Sequence, residues 1–182
     1  MLLDYIIDLD GKILLFIQQY LRFDWLTQVL RALTHLGDSG VIWIVAAVLL
    51  LCTKKYRKTG IATSVALVLS FLIVNLILKN LVARVRPYDA ITGLTALISP
   101  LRDSSFPSGH ASAGMAASFV ILKGTPRYIG IPLFVLAIII CLSRLYLGVH
   151  YPSDVLAGAL IGLFCAFGAK YMVKARVCIC IN

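Results

Sequence analysis

The chain has 182 residues, of which 60% are hydrophobic, and its formal net charge is +9, from 17 Lys and Arg against eight Asp. Its mean hydropathy of +0.95 excludes a soluble domain of this size, whose apolar share is normally closer to half. The basic charge alone would fit a nucleic-acid binder, but most of the surplus flanks apolar segments, where cations hold membrane helices against an anionic leaflet. We therefore predict an integral membrane protein that binds no nucleic acid.

Residues 1–36 mix apolar and charged positions, which predicts an amphipathic N-terminal helix that is interfacial or half-inserted. The apolar run at 41–51 is short and needs its neighbours to cross the bilayer. Four later segments have roughly the 20 helical residues that span a hydrocarbon core. They are residues 60–82, 107–123, 128–147 and 153–173. The pattern predicts an all-α integral membrane bundle of five to six transmembrane helices, with residues 1–182 forming a single domain.

Small residues and cysteines lie within these segments. Small residues recur every four positions at Gly109, Ala113 and Ala117, and again at Gly158, Gly162 and Ala166, a spacing that predicts close contacts between membrane helices. The five cysteines lack zinc-finger spacing and are interpreted as packing residues or a reduced tail. Acylation or metal binding by Cys178 and Cys180 is left open.

The basic residues indicate how the bundle is oriented. Nine of them fall in connections on one side: Lys54, Lys55, Arg57, Lys58, Lys123, Arg127, Lys170, Lys174 and Arg176. By the positive-inside rule that side is cytoplasmic. The opposite, extracytoplasmic side receives an unusual set of isolated charges and imidazoles from separate helix ends, an arrangement typical of a site.

Three short motifs carry these isolated charges. They are K-x6-R-P at Lys79 and Arg86, P-S-G-H at residues 107–110, and S-R-x5-H-x3-D at residues 143–154. A charge near the bilayer core costs at least ~2.5–3.5 kcal/mol on insertion scales, so three cations, two imidazoles and a carboxylate beside apolar helices indicate a chemical task. Binding and cleavage of a phosphate group fit this set of side chains.

The three motifs, in this order, resemble those of the type 2 phosphatidic acid phosphatase superfamily, whose members include membrane lipid phosphatases, soluble acid phosphatases and vanadium-dependent haloperoxidases. The resemblance covers residues 79–154 as the catalytic core, and no key position departs from the pattern. It implies a helical bundle whose site needs no metal or other cofactor and forms a phosphohistidine intermediate.

On this resemblance the two histidines divide the chemistry. His150 is the expected nucleophile, because a neutral imidazole nitrogen can attack phosphorus and split one hydrolysis into two easier transfers. Asp154 is expected to fix the tautomer of His150 and to offset its growing positive charge. His110 is expected to protonate the leaving oxygen and then to deprotonate water, a role worth ~10²–10⁴ in rate.

The remaining motif residues are expected to bind the phosphate. Lys79, Arg86 and Arg144 would neutralise its oxygens, the two guanidinium groups through paired hydrogen bonds. Ser108 and Gly109 open a helix whose free backbone N–H groups and dipole suit an anion, and Gly109 also permits close backbone approach. Three cations can then supply the charge stabilisation that a metal supplies elsewhere.

Other polar residues receive a simpler interpretation. Arg84 and Arg102 are expected to snorkel to the lipid head groups. Asp89 and Asp103 are interpreted as solvated loop acids and not as metal ligands. His35 is expected to have no direct role, and Asn75 is expected to bond to a neighbouring helix or to steer Lys79, with helix packing the simpler account.

The location of the site suggests its substrate. A phosphate pocket at the outer end of apolar helices can take a lipid head group while the tails stay in the bilayer. Undecaprenyl diphosphate is the first candidate, with phosphatidylglycerol phosphate and phosphatidic acid as alternatives. A vanadate-dependent oxidase and a non-catalytic lipid-binding or transport protein remain open as other classes. The loop 88–106 is interpreted as a lid or a plain connector, and the sequence does not fix the topology of residues 1–36 or the oligomeric state.

Overall fold

The computed structural model describes residues 2–179, with the side chains of residues 5–38 and 40–174. Regular structure in this part of the chain is helical throughout. The helices are α1 (Leu2–Tyr20), α2 (Asp24–Leu36), α3 (Val41–Cys52), α4 (Arg57–Phe71), α5 (Lys79–Val82), α6 (Pro87–Ala90), α7 (Gly109–Gly124), α8 (Arg127–Tyr146) and α9 (Pro152–Ile179). A π-helical segment, Leu72–Leu78, joins α4 to α5. The questions raised for Cys178 and Cys180 fall outside the described side chains.

Helix α7 forms the centre of the bundle, with α3, α4, α8 and α9 packed around it. Most of its residues are buried, and it is rich in Ala, Ser and Gly, so neighbouring helices approach it closely. Gly158 and Gly162 lie against the backbone carbonyls of Ser108 and Ser112, which confirms the predicted small-residue contact along α9. On α7, Gly109 approaches Asn75 of the neighbouring helical segment, Ala117 is buried in the core with Ala113 packed against that core, and Gly109 and Ala113 also line a cavity.

Contacts along α7 fix the direction of its neighbours. Thr59 at the start of α4 donates to the carbonyl of Gly124, and Ser70 near its end bonds Ser112 at 2.7 Å, so α4 runs antiparallel to α7. Helix α9 runs parallel to α7, because Gly158 and Gly162 follow residues 108 and 112 in the same order. The end of α4–α5 and the starts of α7 and α9 therefore meet at one end of the bundle, here called the motif end. The cation-rich connections lie at the other, basic end.

Three segments are long and apolar enough to cross a membrane, and the pair α2–α3, bent by 50°, adds up to one more. The three segments are Lys54–Ala90, Arg127–Tyr146 and Pro152–Lys174. Large apolar side chains such as Leu142 and Phe164 point outward and are more than half exposed, as expected of helices surrounded by lipid. The predicted all-helical, multi-pass membrane bundle is confirmed.

Helix α1 lies across the motif end. Leu14 and Asp10 are buried there, while Ile7, Phe16 and Tyr20 are exposed, which agrees with the predicted amphipathic character. The end of α1 also holds the long loop before α7, because Gln18 donates to the carbonyl of Gly93 and Arg22 bonds Thr95. The loop residues Leu94, Leu97, Ile98 and Leu101 pack inward on α1 and on the end of α8.

Candidate active site

All eight predicted site residues lie at the motif end, contributed by separate parts of the chain. Lys79 begins α5, Arg86 precedes α6, Arg144 is in the last turn of α8, and His150 is in the turn before α9. Ser108, Gly109 and His110 open α7, and Asp154 is in the first turn of α9. Six of the eight are buried: Lys79, Arg86, Ser108, Arg144, His150 and Asp154. Charged groups are rarely buried without partners or a task.

His150 is placed by the tight turn that precedes α9. Gly148 has a φ of +72°, and a Cβ there would lie 2.8 Å from the carbonyl oxygen of Thr95, so only glycine fits the turn. The His150 ring is 2% exposed, with Nε2 3.3 Å from Nη1 of Arg86. Burial lowers the pKa of His150, Asp154 opposes the effect, and the two nearby guanidinium charges add to it, so the pKa falls to about 3. The imidazole is therefore neutral at ordinary pH.

Asp154 lies behind His150, with Oδ2 3.6 Å from Nδ1 of the ring. Its carboxylate accepts hydrogen bonds from Arg84 at 2.6 Å, from the backbone N–H of Tyr151 at 3.1 Å, and from the hydroxyl of Ser105. Nδ1 of His150 has no hydrogen-bond partner among the described residues. Asp154 is thus held rigidly next to a ring nitrogen that a small rotation would bring into hydrogen-bond range.

The prediction that Arg84 snorkels is wrong. Its side chain is 20% exposed and bonds two buried carboxylates, Asp154 and, at 2.9 Å, Asp10 of α1. The guanidinium also stacks at 3.7 Å on the ring of Tyr151. Arg84 points inward because α1 docks across the motif end and brings Asp10 within hydrogen-bond range. Sequence spacing does not reveal this tertiary contact. Arg102, by contrast, is exposed.

Asp103 is half exposed, as expected of a loop acid, but it is also paired with two cations. One carboxylate oxygen accepts from Nη2 of Arg86 at 2.7 Å, and the other bonds Nζ of Lys79. Burial alone would raise the pKa of Asp103, but the hydrogen bond and charge of Lys79, together with Arg86, lower the pKa to about 2. The carboxylate therefore bridges two of the cations predicted to bind phosphate. Asp89 is exposed, and no cluster of three His, Cys or Asp side chains able to hold a metal occurs in the described part of the chain.

Arg144 is the most enclosed of the three predicted phosphate-binding cations, at 1% exposed. Its Nη1 donates to the hydroxyl of Thr34 on α2 at 2.8 Å. Nε is buried and has no partner within the described part of the structure. Since a buried N–H without an acceptor is costly, this guanidinium is suited to an anion that completes its hydrogen bonds.

The start of α7 is built as a helix cap. The Ser108 hydroxyl accepts from the backbone N–H of Ala111 at 3.4 Å, and the Ser108 backbone N–H donates to the carbonyl of Asp154 at 3.1 Å. The side-chain amide of Asn75, from the π-helical segment, approaches Gly109 so closely that a Cβ would lie 3.3 Å from its oxygen. Asn75 thus contacts a neighbouring helix, and Gly109 permits that approach.

His110 contacts Asp38, a residue to which the sequence assigns no function. Its Nε2 lies 3.0 Å from Oδ1 of Asp38, and Oδ2 of the same carboxylate lies 2.7 Å from Nδ1 of His35. Asp10, Ser105 and Thr34 were likewise assigned no function, although each bonds Arg84, Asp154 or Arg144. An available signal was the cost of burying a carboxylate beside apolar helices, which applies to Asp10 as well as to Asp154, whereas the half-exposed Asp38 carries no such signal.

A cavity of about 920 Å³ runs from these residues down between α3 and α4. Its polar end is formed by Asp38, Lys79, Asp103 and His110. Apolar side chains form its walls: Ile44, Ala47, Val48, Leu67, Val68 and Phe71. A head group and the first part of an apolar tail match this division between a charged end and apolar walls.

The helical membrane bundle, with its cluster of cations and histidines at one end, places the protein in the class of membrane-bound phosphatases. A family model described as the PAP2 superfamily matches residues 59–178. The chain belongs to this superfamily.

Known proteins resemble the chain in sequence and in structure. It is 32% identical over 126 residues to the undecaprenyl-diphosphatase of Sulfolobus acidocaldarius, covering 69% of this chain and 61% of that protein. It is 31% identical over 164 residues to phosphatidylglycerophosphatase B of Bacillus subtilis, covering 82% and 76%. The crystal structure of Aquifex aeolicus LpxE superposes with a TM-score of 0.77 at 27% identity, covering 87% of this chain and 92% of that one. The predicted enzyme class, a hydrolase of lipid phosphate groups, is confirmed at the level of the family.

Proposed function

We propose that the protein hydrolyses the phosphate or diphosphate head group of a membrane lipid through a phosphohistidine at His150, without a metal ion. The observation that carries this proposal is a buried, neutral imidazole whose Nε2 lies 3.3 Å from the guanidinium of Arg86. Arg86 bonds Asp103 at 2.7 Å, and Asp103 lines the charged end of a cavity with apolar walls. A nucleophile, an anion site and a path for a lipid tail therefore occur together.

In the first step Nε2 of His150 attacks phosphorus, and the bond from phosphorus to the leaving oxygen breaks. His110 gives its proton to that oxygen, so the lipid product leaves as a neutral alcohol or as a lipid phosphate. Asp154, held by Arg84, Ser105 and the Tyr151 N–H, offsets the positive charge that grows on the His150 ring. In the second step water attacks the phosphohistidine, His110 takes the proton from water, and His150 is restored as phosphate departs.

The phosphoryl oxygens would be held by Lys79, Arg86 and Arg144, with the start of α7 as a further donor site. Asp103 bridges Lys79 and Arg86, so an incoming phosphate must displace its carboxylate. Arg144 offers the buried Nε that has no partner among the described residues. Because phosphoryl transfer depends mainly on positioning and charge stabilisation, these cations suffice without a metal.

Undecaprenyl diphosphate is the proposed substrate, with phosphatidylglycerol phosphate and phosphatidic acid as alternatives. Support comes from the apolar cavity walls and from the relative named undecaprenyl-diphosphatase. The relative named phosphatidylglycerophosphatase B supports phosphatidylglycerol phosphate as the alternative. Purified protein in detergent would be given each lipid, with phosphate release measured with and without EDTA. We expect the highest kcat/KM with undecaprenyl diphosphate, no effect of EDTA, and no activity in His150→Gln. Activity that EDTA abolishes and Mg²⁺ restores would contradict the metal-free mechanism.

We further propose that the site faces the extracytoplasmic side of the cell membrane. The basic end carries the cation-rich connections and the motif end carries the site, which under the positive-inside rule puts the site outside. Cys52 is exposed at the end of α3 and serves as a native probe of the basic end. A membrane-impermeant maleimide applied to intact cells should leave Cys52 unlabelled and should label Asp89→Cys at the motif end. The reverse pattern would contradict the orientation.

A further inference from the structure

Asp38 bridges two histidines in the short turn between α2 and α3. Oδ1 lies 3.0 Å from Nε2 of His110, and Oδ2 lies 2.7 Å from Nδ1 of His35. It is the only side chain in the described part of the structure that hydrogen-bonds the ring of His110. The carboxylate also borders the polar end of the cavity, so it is next to the site but separate from the three motifs.

The same turn fixes the orientation of the His110 ring. A Cβ on Gly37 would lie 2.9 Å from Cδ2 of His110 and 3.3 Å from a side-chain carbon of Ile140. Gly37 and Asp38 therefore cover the ring edge formed by Cδ2 and Nε2. Nδ1 is on the opposite edge and is left available to a reacting group.

The contact also determines which ring nitrogen carries the proton. When Nε2–H donates to the carboxylate, neutral His110 has a bare Nδ1 that can accept a proton, and protonated His110 has an Nδ1–H that can give one. Burial, together with the positive charges of Arg144 from α8 and Lys79 from α5, lowers the pKa of His110 to about 4. Asp38 opposes them, while His35 from α2 holds the second carboxylate oxygen.

We infer that Asp38 is a positioning residue for the acid–base function of His110: it holds Nε2–H, orients the ring and keeps Nδ1 as the nitrogen that exchanges protons. The inference rests on the proposed function. In the first transfer Nδ1 gives its proton to the leaving oxygen as the bond to phosphorus breaks. In the second, Nδ1 takes a proton from water, and Asp38 stays ionised in both steps.

The kinetic test uses Asp38→Asn, which keeps an acceptor for Nε2–H and removes the charge. We expect kcat to fall by about 10- to 100-fold, less than the ~10²–10⁴ attached to a complete general acid–base group, with KM changed by no more than about threefold. The alkaline limb of kcat/KM should move to lower pH, because protonated His110 loses its counter-charge. Asp89→Asn, an exposed aspartate at the same end with no contact to His110, is the matched control and should behave as wild type.

A double-mutant cycle separates positioning from general damage to the fold. Adding Asp38→Asn to His110→Gln should lower kcat by less than about twofold, because the two changes remove the same function. Additive losses in the double variant, or a wild-type pH profile in Asp38→Asn, would overturn the inference.

A second measurement does not depend on the activity. Nitrogen NMR of protein labelled at its three histidines, assigned with His35→Gln and His150→Gln, should find neutral His110 protonated at Nε2 and should find that preference weakened in Asp38→Asn. If the wild-type protein shows this tautomer but has no lipid phosphatase activity, the proposed function is refuted while the contact between Asp38 and His110 still stands. An active enzyme with an unchanged tautomer in Asp38→Asn would refute the positioning alone.

Discussion

Replacing Arg84 tests whether the ion-pair cluster behind His150 stabilises the fold. Arg84 bonds Asp154 at 2.6 Å and Asp10 at 2.9 Å, and the two carboxylate side chains are 0% and 4% exposed. Arg84→Gln would leave both carboxylates buried without a counter-charge. Arg84→Lys would keep the charge, but one ammonium group cannot reproduce the planar set of donors that bridges two acids.

The expected size of the effect follows from the partners that each carboxylate keeps. Breaking a buried ion pair by removing one member typically costs about 3–5 kcal/mol. Asp10 keeps the backbone and side-chain donors of Ser153, and Asp154 keeps Ser105 and the Tyr151 N–H. We therefore expect a loss near the lower limit, about 3 kcal/mol for Arg84→Gln, and a smaller loss for Arg84→Lys.

Thermal unfolding in detergent, followed by tryptophan fluorescence, measures this loss. Trp43 is fully buried and reports on the opening of the core. For a chain of this size each kcal/mol shifts Tm by about 2–4 °C, so Arg84→Gln should lower Tm by about 6–12 °C. Arg102→Gln, at the exposed arginine, is the control and should change Tm by no more than about 2 °C, because surface changes stay within about 0.5 kcal/mol. Equal Tm values for the two variants would refute the stabilising role of this buried ion-pair cluster.

Three further predictions concern the phosphate site and the helix packing. Asp103→Asn should lower the Ki for inorganic phosphate, because the competing carboxylate charge is gone. Pairing lowers the pKa of Asp103 from 3.8 to about 2, so the stability that Asp103 contributes should be present above pH 3.8 and lost as the pH falls towards 2. The unfolding free energy of Asp103→Asn should lack this pH dependence. Arg144→Lys should lower kcat/KM by about 10²-fold or more, as the loss of one preorganised donor does elsewhere, and near-wild-type kinetics would contradict a role for its Nε. Gly162→Ala should destabilise the bundle by about 1–3 kcal/mol through overpacking, because its Cβ would meet the carbonyl of Ser112, whereas Gly168→Ala on the same helix meets nothing within 4 Å and should be neutral or slightly stabilising in thermal unfolding.

The helices and the side of the bundle that bears the motifs were predictable from sequence. Long apolar runs are bounded by connections rich in Lys and Arg, and local signals mark the helix starts, such as the Ser108 cap and Pro152 at the beginning of α9. The placement of Lys79 and His150 at the same end of the bundle was also predictable, because both lie at helix ends on the same side of the membrane.

The partners of the aspartates were not predictable. Asp10 reaches Arg84 only because α1 docks across the motif end, and Asp103 reaches Lys79 only because α1 and the end of α8 hold the loop before α7 inward. Asp38 bonds His110 through a turn between two helices whose bend no residue periodicity encodes. Contacts of this kind depend on how elements dock in three dimensions. The cost of a buried carboxylate indicates that Asp10 needs a partner without identifying it, and the half-exposed Asp38 and Asp103 carry no such signal.

The most direct test of the mechanism is to trap phosphate on the protein. Wild-type enzyme would be mixed with lipid substrate carrying a radioactive terminal phosphate, quenched in alkali within milliseconds, digested and sequenced by mass spectrometry. The account predicts an acid-labile, alkali-stable phosphoryl group on His150 that is absent from His150→Gln and that persists longer in His110→Gln, where the base for the second step is missing. Phosphate on any other residue, or full turnover by His150→Gln, would contradict it.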